Sequence, residues 1–179
     1  VNVIAGATIR QEAAAGAVWV GGINVDTDGS ITNLGQGTMN RAGAPTNAPV
    51  DEPIGIVILA AEDIEGSGTL DTSGGLGSIN LDADFDFSAL GAAVVTYGTP
   101  DMAEDSTGEI NFTGTATSGG DVIYTAPGDI TQTDDIFSAR DVRITSTDGN
   151  IVVDDHTRIS AQRDIFLTAV DEANDAGAP

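Results

Sequence analysis

The stretch Gly128–Ala169 reads GDITQTDDIFSARDVRITSTDGNIVVDDHTRISAQRDIFLTA, and its internal repetition decides the fold. Three short phrases recur in a fixed order. One is DVRIT (Asp141 to Thr145), which returns as DIFLT (Asp164 to Thr168) and is preceded by DVIYT (Asp121 to Thr125). A second is GDITQT (Gly128 to Thr133), with GNIVVD (Gly149 to Asp154) after it and GEINFT (Gly108 to Thr113) before it. A third runs GTATSG (Gly114 to Gly119), DIFSAR (Asp135 to Arg140) and TRISAQ (Thr157 to Gln162). Each phrase alternates apolar and polar residues and is closed by Gly, Asp or Asn, the pattern of a short strand followed by a turn.

A strand of this length buries no core alone. Three of them bent into one turn, with successive turns stacked in register, bury a continuous one. The expectation is therefore an all-β right-handed parallel β-helix, a β-solenoid with three short strands per coil. Each coil takes about 20–23 residues, because the DVIYT phrase returns at that interval. Ile, Val and Leu stack inside, while Asp, Thr and Ser face water. The aspartates that open phrases, Asp121, Asp129, Asp141 and Asp164, are expected to coat the outside of the coil.

Working outward, GIVILAA (Gly55 to Ala61), EDIEGSG (Glu62 to Gly68) and TLDTSGG (Thr69 to Gly75) keep the same order. SINLDA, DFDFSA and AAVVTYG carry it less clearly from Ser78 to Gly98. GGINVDTDGSITNLG (Gly21 to Gly35) holds two strands about an Asp-Gly turn, and VNVIAGATIR begins in strand-like material with Val1, Val3 and Ile9 as inward positions. The whole of 1–179 is read as one solenoid of six to eight coils, clearest over 55–169, with a rod length of roughly 40 Å at the spacing of stacked strands. Two stretches break the rhythm and are expected to leave the rod as loops: 35–53, with Pro45, Pro49 and Pro53, and 98–108. Gln11 to Trp19 is either a short helix capping the rod or an alanine-rich strand, and 170–179 is a polar tail.

The phrases between Gly128 and Ala169 resemble the filamentous haemagglutinin-like β-helix repeats of large bacterial exoproteins and adhesins. That resemblance implies export, an extracellular or cell-surface location, and a structural or adhesive shaft, either a filament subunit or a segment of a large adhesin. It carries no set of active residues.

Composition narrows the function. The chain of 179 residues has 28 acidic and 6 basic side chains, all six of them arginine, for a net charge of −22, and it has no cysteine. No basic stripe exists to neutralise phosphates, which argues against nucleic acid. Without cysteine there is no disulfide framework, zinc–thiolate site or thiol nucleophile. No run of apolar residues is long enough to span a membrane as a helix.

Candidate chemistry is sparse, and no catalytic set is assigned. Asp154, Asp155, His156 and Arg158 carry the residue types of β-helix polysaccharide-cleaving enzymes, but within five residues of one another. The expected reading is a widened turn bearing solvated charges. Asp26-Thr27-Asp28-Gly29-Ser30 starts like a calcium loop, yet Gly37 stands where its last ligand belongs. Asp82, Asp84 and Asp86 alternate and are expected to share one side of a strand, where a calcium ion would relieve their repulsion. The sequence thus leads to an exported, non-enzymatic shaft that associates end to end. The alternatives are a polysaccharide-binding or polysaccharide-cleaving β-helix protein and a calcium-dependent binding module.

Overall fold

The computed structural model describes residues 1–12, 16–37, 53–85 and 108–170. Three parallel sheets carry these residues. The first stacks β1 (Thr8–Gln11), β4 (Ser30–Asn33), β7 (Thr69–Asp71), β10 (Thr115–Ser118), β13 (Ile136–Ser138) and β16 (Ile159–Ala161). The second stacks β2 (Val18–Gly22), β5 (Ile54–Ala60), β8 (Ser78–Asp82), β11 (Val122–Ala126), β14 (Val142–Ser146) and β17 (Ile165–Ala169). The third stacks β3 (Val25–Asp26), β6 (Ile64–Gly66), β9 (Ile110–Phe112), β12 (Ile130–Gln132) and β15 (Ile151–Val153), and Asn2 bridges onto its open edge at Asp26.

Every third strand in the chain enters the same sheet, so the fold is a parallel β-helix with three strands per coil. The DVIYT, DVRIT and DIFLT phrases lie in the second sheet, the glycine-led phrases in the third and DIFSAR with its relatives in the first. Phrase and sheet coincide because parallel stacking pairs equivalent positions: Val122 with Val142, and Val142 with Ile165. The described strands reach six deep, which spans about 24 Å along the axis at the ordinary strand spacing and is shorter than a fully coiled chain would give.

The difference lies in two turns. Val18 pairs with Ile56, and Ile79 with Val122, so strands on either side of each break in the rhythm are neighbours in one sheet. The flanking strands keep parallel register across both. Most of the two expected loops, the phrases DFDFSA and AAVVTYG beyond Phe85, and the tail after Val170 lie outside the described residues. Of the expected cap, Gln11 closes β1 and Val18 and Trp19 open β2, while residues 13–15 lie outside the description. Val3 is buried as expected, whereas Val1 is 58% exposed.

The interior is a stack of apolar ladders. Ile56, Ile79, Val122 and Val142 form one, and Ile58, Leu81, Tyr124 and Ile144 another, all fully buried. Removing such a side chain from water contributes about 1.5–3 kcal/mol, so each rung matters in a narrow core. Tyr124 meets Phe112 edge to face, with ring centroids 6.5 Å apart.

Corners need two further devices. At Gly114 a Cβ would come within 1.9 Å of the Gly68 carbonyl oxygen, and at Gly68 within 1.8 Å of that of Gly29. Only glycine lets consecutive coils turn this tightly one above another. Buried hydroxyls serve the backbone beside them: Ser138 Oγ lies within hydrogen-bonding distance of the carbonyl oxygens of Gly120 and Asp141, and Ser118 Oγ of that of Asp121.

Two expectations about surface need correction. Asp121 and Asp141 do not coat the outside; they are 2% and 1% exposed. The outward side of the second sheet is also not a polar face around β5. Val57, Asn80 and Ile123 project away from the interior ladders and are nevertheless buried, as are Leu59 and Ala61. Ala17 and Phe85 pack against this second apolar cluster.

Candidate functional site

Chemistry-bearing residues gather in three places among the described residues. The first is a corner ladder. Asp121 Oδ1 accepts the Asp141 N–H at 3.0 Å, and Asp141 Oδ1 accepts the Asp164 N–H at 3.2 Å. Both residues open the same phrase, so the repeat itself brings them together. Arg163 clasps Asp141 with Nε at 2.9 Å and a terminal nitrogen at 2.6 Å, and Arg143 adds a third contact at 2.7 Å. The Arg163 hydrogen bonds, then those of Arg143 and the Asp164 N–H, overcome burial and hold the Asp141 carboxyl well below the ordinary carboxylate range. Arg143 in turn lies 4.6 Å from the centre of the Phe166 ring, one strand on. Elsewhere Asp129 accepts the Asn150 N–H at 2.7 Å and Asp63 that of Glu109 at 3.0 Å. These carboxylates join one coil to the next, which is a structural task.

The second place is the outward side of β8. Asp82 is 8% exposed, and burial, followed by the nearby Asp84 charge, pushes its carboxyl up to about 7. Asn80, two residues earlier on the same side, is fully buried with neither amide atom hydrogen-bonded. Asp84 lies beyond the strand at φ 62°, in the left-handed region, so strand alternation ends before it. Of the expected trio Asp82, Asp84 and Asp86, the structure places the first two near each other; Asp86 lies outside the described residues. Asn80 was missed because an isolated asparagine within a strand carries no signal of its burial.

The third place is the turn after β15. Asp154, Asp155 and His156 present their oxygen and nitrogen atoms within 4.8 Å of one another. His156 Nδ1 is 2.5 Å from Asp155 Oδ1 and 3.4 Å from Asp154 Oδ1. The His156 N–H, foremost, lowers the Asp154 carboxyl below its ordinary value. All three side chains are exposed, as the reading of a charged turn expects. Arg158 does not join them: its N–H donates to Asp135 at 2.8 Å and its guanidinium lies 5.8 Å from the Phe137 ring centre. The calcium-loop start at Asp26 also has other work, since Asp28 Oδ1 accepts from both the N–H and the hydroxyl of Ser67.

Among the described residues the apolar ladders run out at β17, where Ile165 and Leu167 continue the inward rows of Val142 and Ile144 but are 47% and 49% exposed. At the opposite end Ile9, in register with buried Ile31, is 36% exposed.

No family model, curated protein or solved structure matches this chain. Among the described residues no helix is long and apolar enough to cross a membrane.

Proposed function

We propose that this chain is a length of structural shaft, an exported β-solenoid that spans distance at a bacterial cell surface or in an extracellular filament. The observation that carries the reading is the half-exposed apolar row on β17, the last strand among the described residues. Its core residues are set out in register with the rows below them, and among the described residues no strand pairs with the far edge of β17, the kind of edge that another strand can join. A further coil of the same architecture fits that surface, and a second copy stacked end to end supplies one. Such a head-to-tail contact does not close on itself and so extends into a rod.

The −22 charge supports the same reading, since it keeps long rods apart laterally while salt screens it at the outside of a cell. The likeness of the 128–169 phrases to filamentous haemagglutinin-like repeats points the same way, to adhesion or surface structure. Negative-stain microscopy of the purified chain tests the proposal. Rods of uniform width and variable length are expected; dispersed single particles at high concentration would overturn it. The enzymatic alternative has its own readout: release of reducing ends from an acidic polysaccharide, abolished by His156→Ala, would replace the shaft with a polysaccharide-cleaving protein.

A further inference from the structure

The outward side of β8 contains a buried polar group for which no described residue supplies a partner. In this strand Ile79 and Leu81 enter the interior cluster, so Asn80 and Asp82 project together on the opposite side. Asn80 is flanked in register by Val57 and Ile123, and Asp82 by Leu59 and Thr125. Asn80 is 0% exposed, yet neither its oxygen nor its nitrogen is hydrogen-bonded. Leaving a buried amide in that state is costly, and a carboxyl group in the same apolar ground adds to the cost. No arginine among the described residues reaches Asp82, whereas Asp141, also buried, has two.

We propose that this side of β8 holds one calcium ion, bound by the Asn80 amide oxygen and the carboxylates of Asp82 and Asp84. A hard cation takes oxygen ligands from carboxylate, amide and backbone carbonyl alike, and calcium tolerates an irregular set completed by water. The ligands present are all oxygen donors; no thiolate or imidazole stands beside them to favour a softer metal. The ion would give Asn80 its missing partner and cancel the repulsion between two carboxylates at one step. It would also fix the corner where the chain leaves the second sheet, just after β8, beside Phe85 and the second apolar cluster. The site is independent of end-to-end stacking and stands whether or not the shaft reading does.

Trp19, the sole tryptophan, provides the probe. It lies on the same side of the sheet, in the row Trp19, Val57, Asn80, two strands away or about 10 Å. Terbium titrated into the full chain should give tryptophan-sensitised luminescence that saturates at one ion per chain and is displaced by calcium. Asp82→Asn and Asn80→Leu should each abolish it, whereas Asp155→Asn, in the exposed turn, should not. Calcium should raise the melting temperature of the native chain and leave Asp82→Asn unmoved. Absent emission, emission undiminished in Asp82→Asn, or an equal calcium shift in both proteins through diffuse screening would each overturn the proposal. Asp82→Asn removes a buried charge and Asn80→Leu a buried unpaired amide, each at nearly constant volume, so failure to fold does not stand between the experiment and its answer.

Discussion

Asp141 accepts the backbone N–H of Asp164 from one coil further on, at the place where Asp121 accepts the N–H of Asp141 itself. The first residue of a repeated phrase thereby reads the first residue of the next. This contact sets coil spacing and register together, since a slip of one residue would leave a buried carboxylate without its donor.

Asp141→Ala should therefore destabilise the chain by about 1.5–3 kcal/mol, the range for hydrogen bonds to charged groups, read by urea unfolding. Asp141→Asn keeps an acceptor for the Asp164 N–H and should lose less. The pH dependence follows from the direction of the shift. The folded carboxyl lies below the ordinary 3.8, so the native state binds fewer protons there than the unfolded chain. This part of the stability is present above about pH 4 and is lost as the pH falls toward the lower folded value. In Asp141→Asn that acid-side slope should be shallower.

Asp82 should behave in the opposite sense. Its folded carboxyl is raised to about 7 from 3.8, so with divalent cations chelated the native state holds a proton that the unfolded chain has released. Stability from this group is full below about pH 4, declines as the pH rises toward 7, and stays at its lower level above that. Melting curves across this interval should show the decline in the native chain and its absence in Asp82→Asn.

Gly114→Ala tests the corner. The added Cβ would lie 1.9 Å from the Gly68 carbonyl oxygen, which is backbone and has no side-chain freedom with which to yield. A loss of about 1–3 kcal/mol is expected, as for other overpacked positions, and circular dichroism should show the strands retained at low temperature.

His156→Ala should change stability by less than about 0.5 kcal/mol, because the side chain is 88% exposed and its partners sit on the same turn. Thermal melting at neutral pH checks this.

Much of the fold was legible in the residues. DVIYT, DVRIT and DIFLT announce one sheet because parallel stacking demands like residues at like positions, and the same logic separates the other two phrases. What escaped the repeat is what depends on a second layer. IGIVILA, Ile54 to Ala60, is apolar on both sides and buried throughout, and that unbroken run is itself the mark of a strand covered on two faces. Reading it as an alternating strand concealed the burial of Asn80 and Asp82 beside it. Asp121 and Asp141 were misplaced for a different reason: aspartate at a turn is ordinarily solvated, and only the arginines two residues after Asp141 and one before Asp164 hint that this corner is neutralised. The alternation of Asp82, Asp84 and Asp86 was legible as spacing, but the left-handed turn at Asp84 was not.

The central claim, that the end at β17 is a surface built to receive another coil, is tested most directly by sedimentation velocity over a range of concentrations, comparing the native chain with Leu167→Lys. Leu167 is half exposed in the single chain, so the substitution should leave the melting temperature unchanged while placing a charge where the next coil would stack. The native chain should sediment as a series of growing species, and Leu167→Lys as a single particle. A native chain that stays a single particle at every concentration, or a variant that assembles as readily as the native chain, would contradict the account.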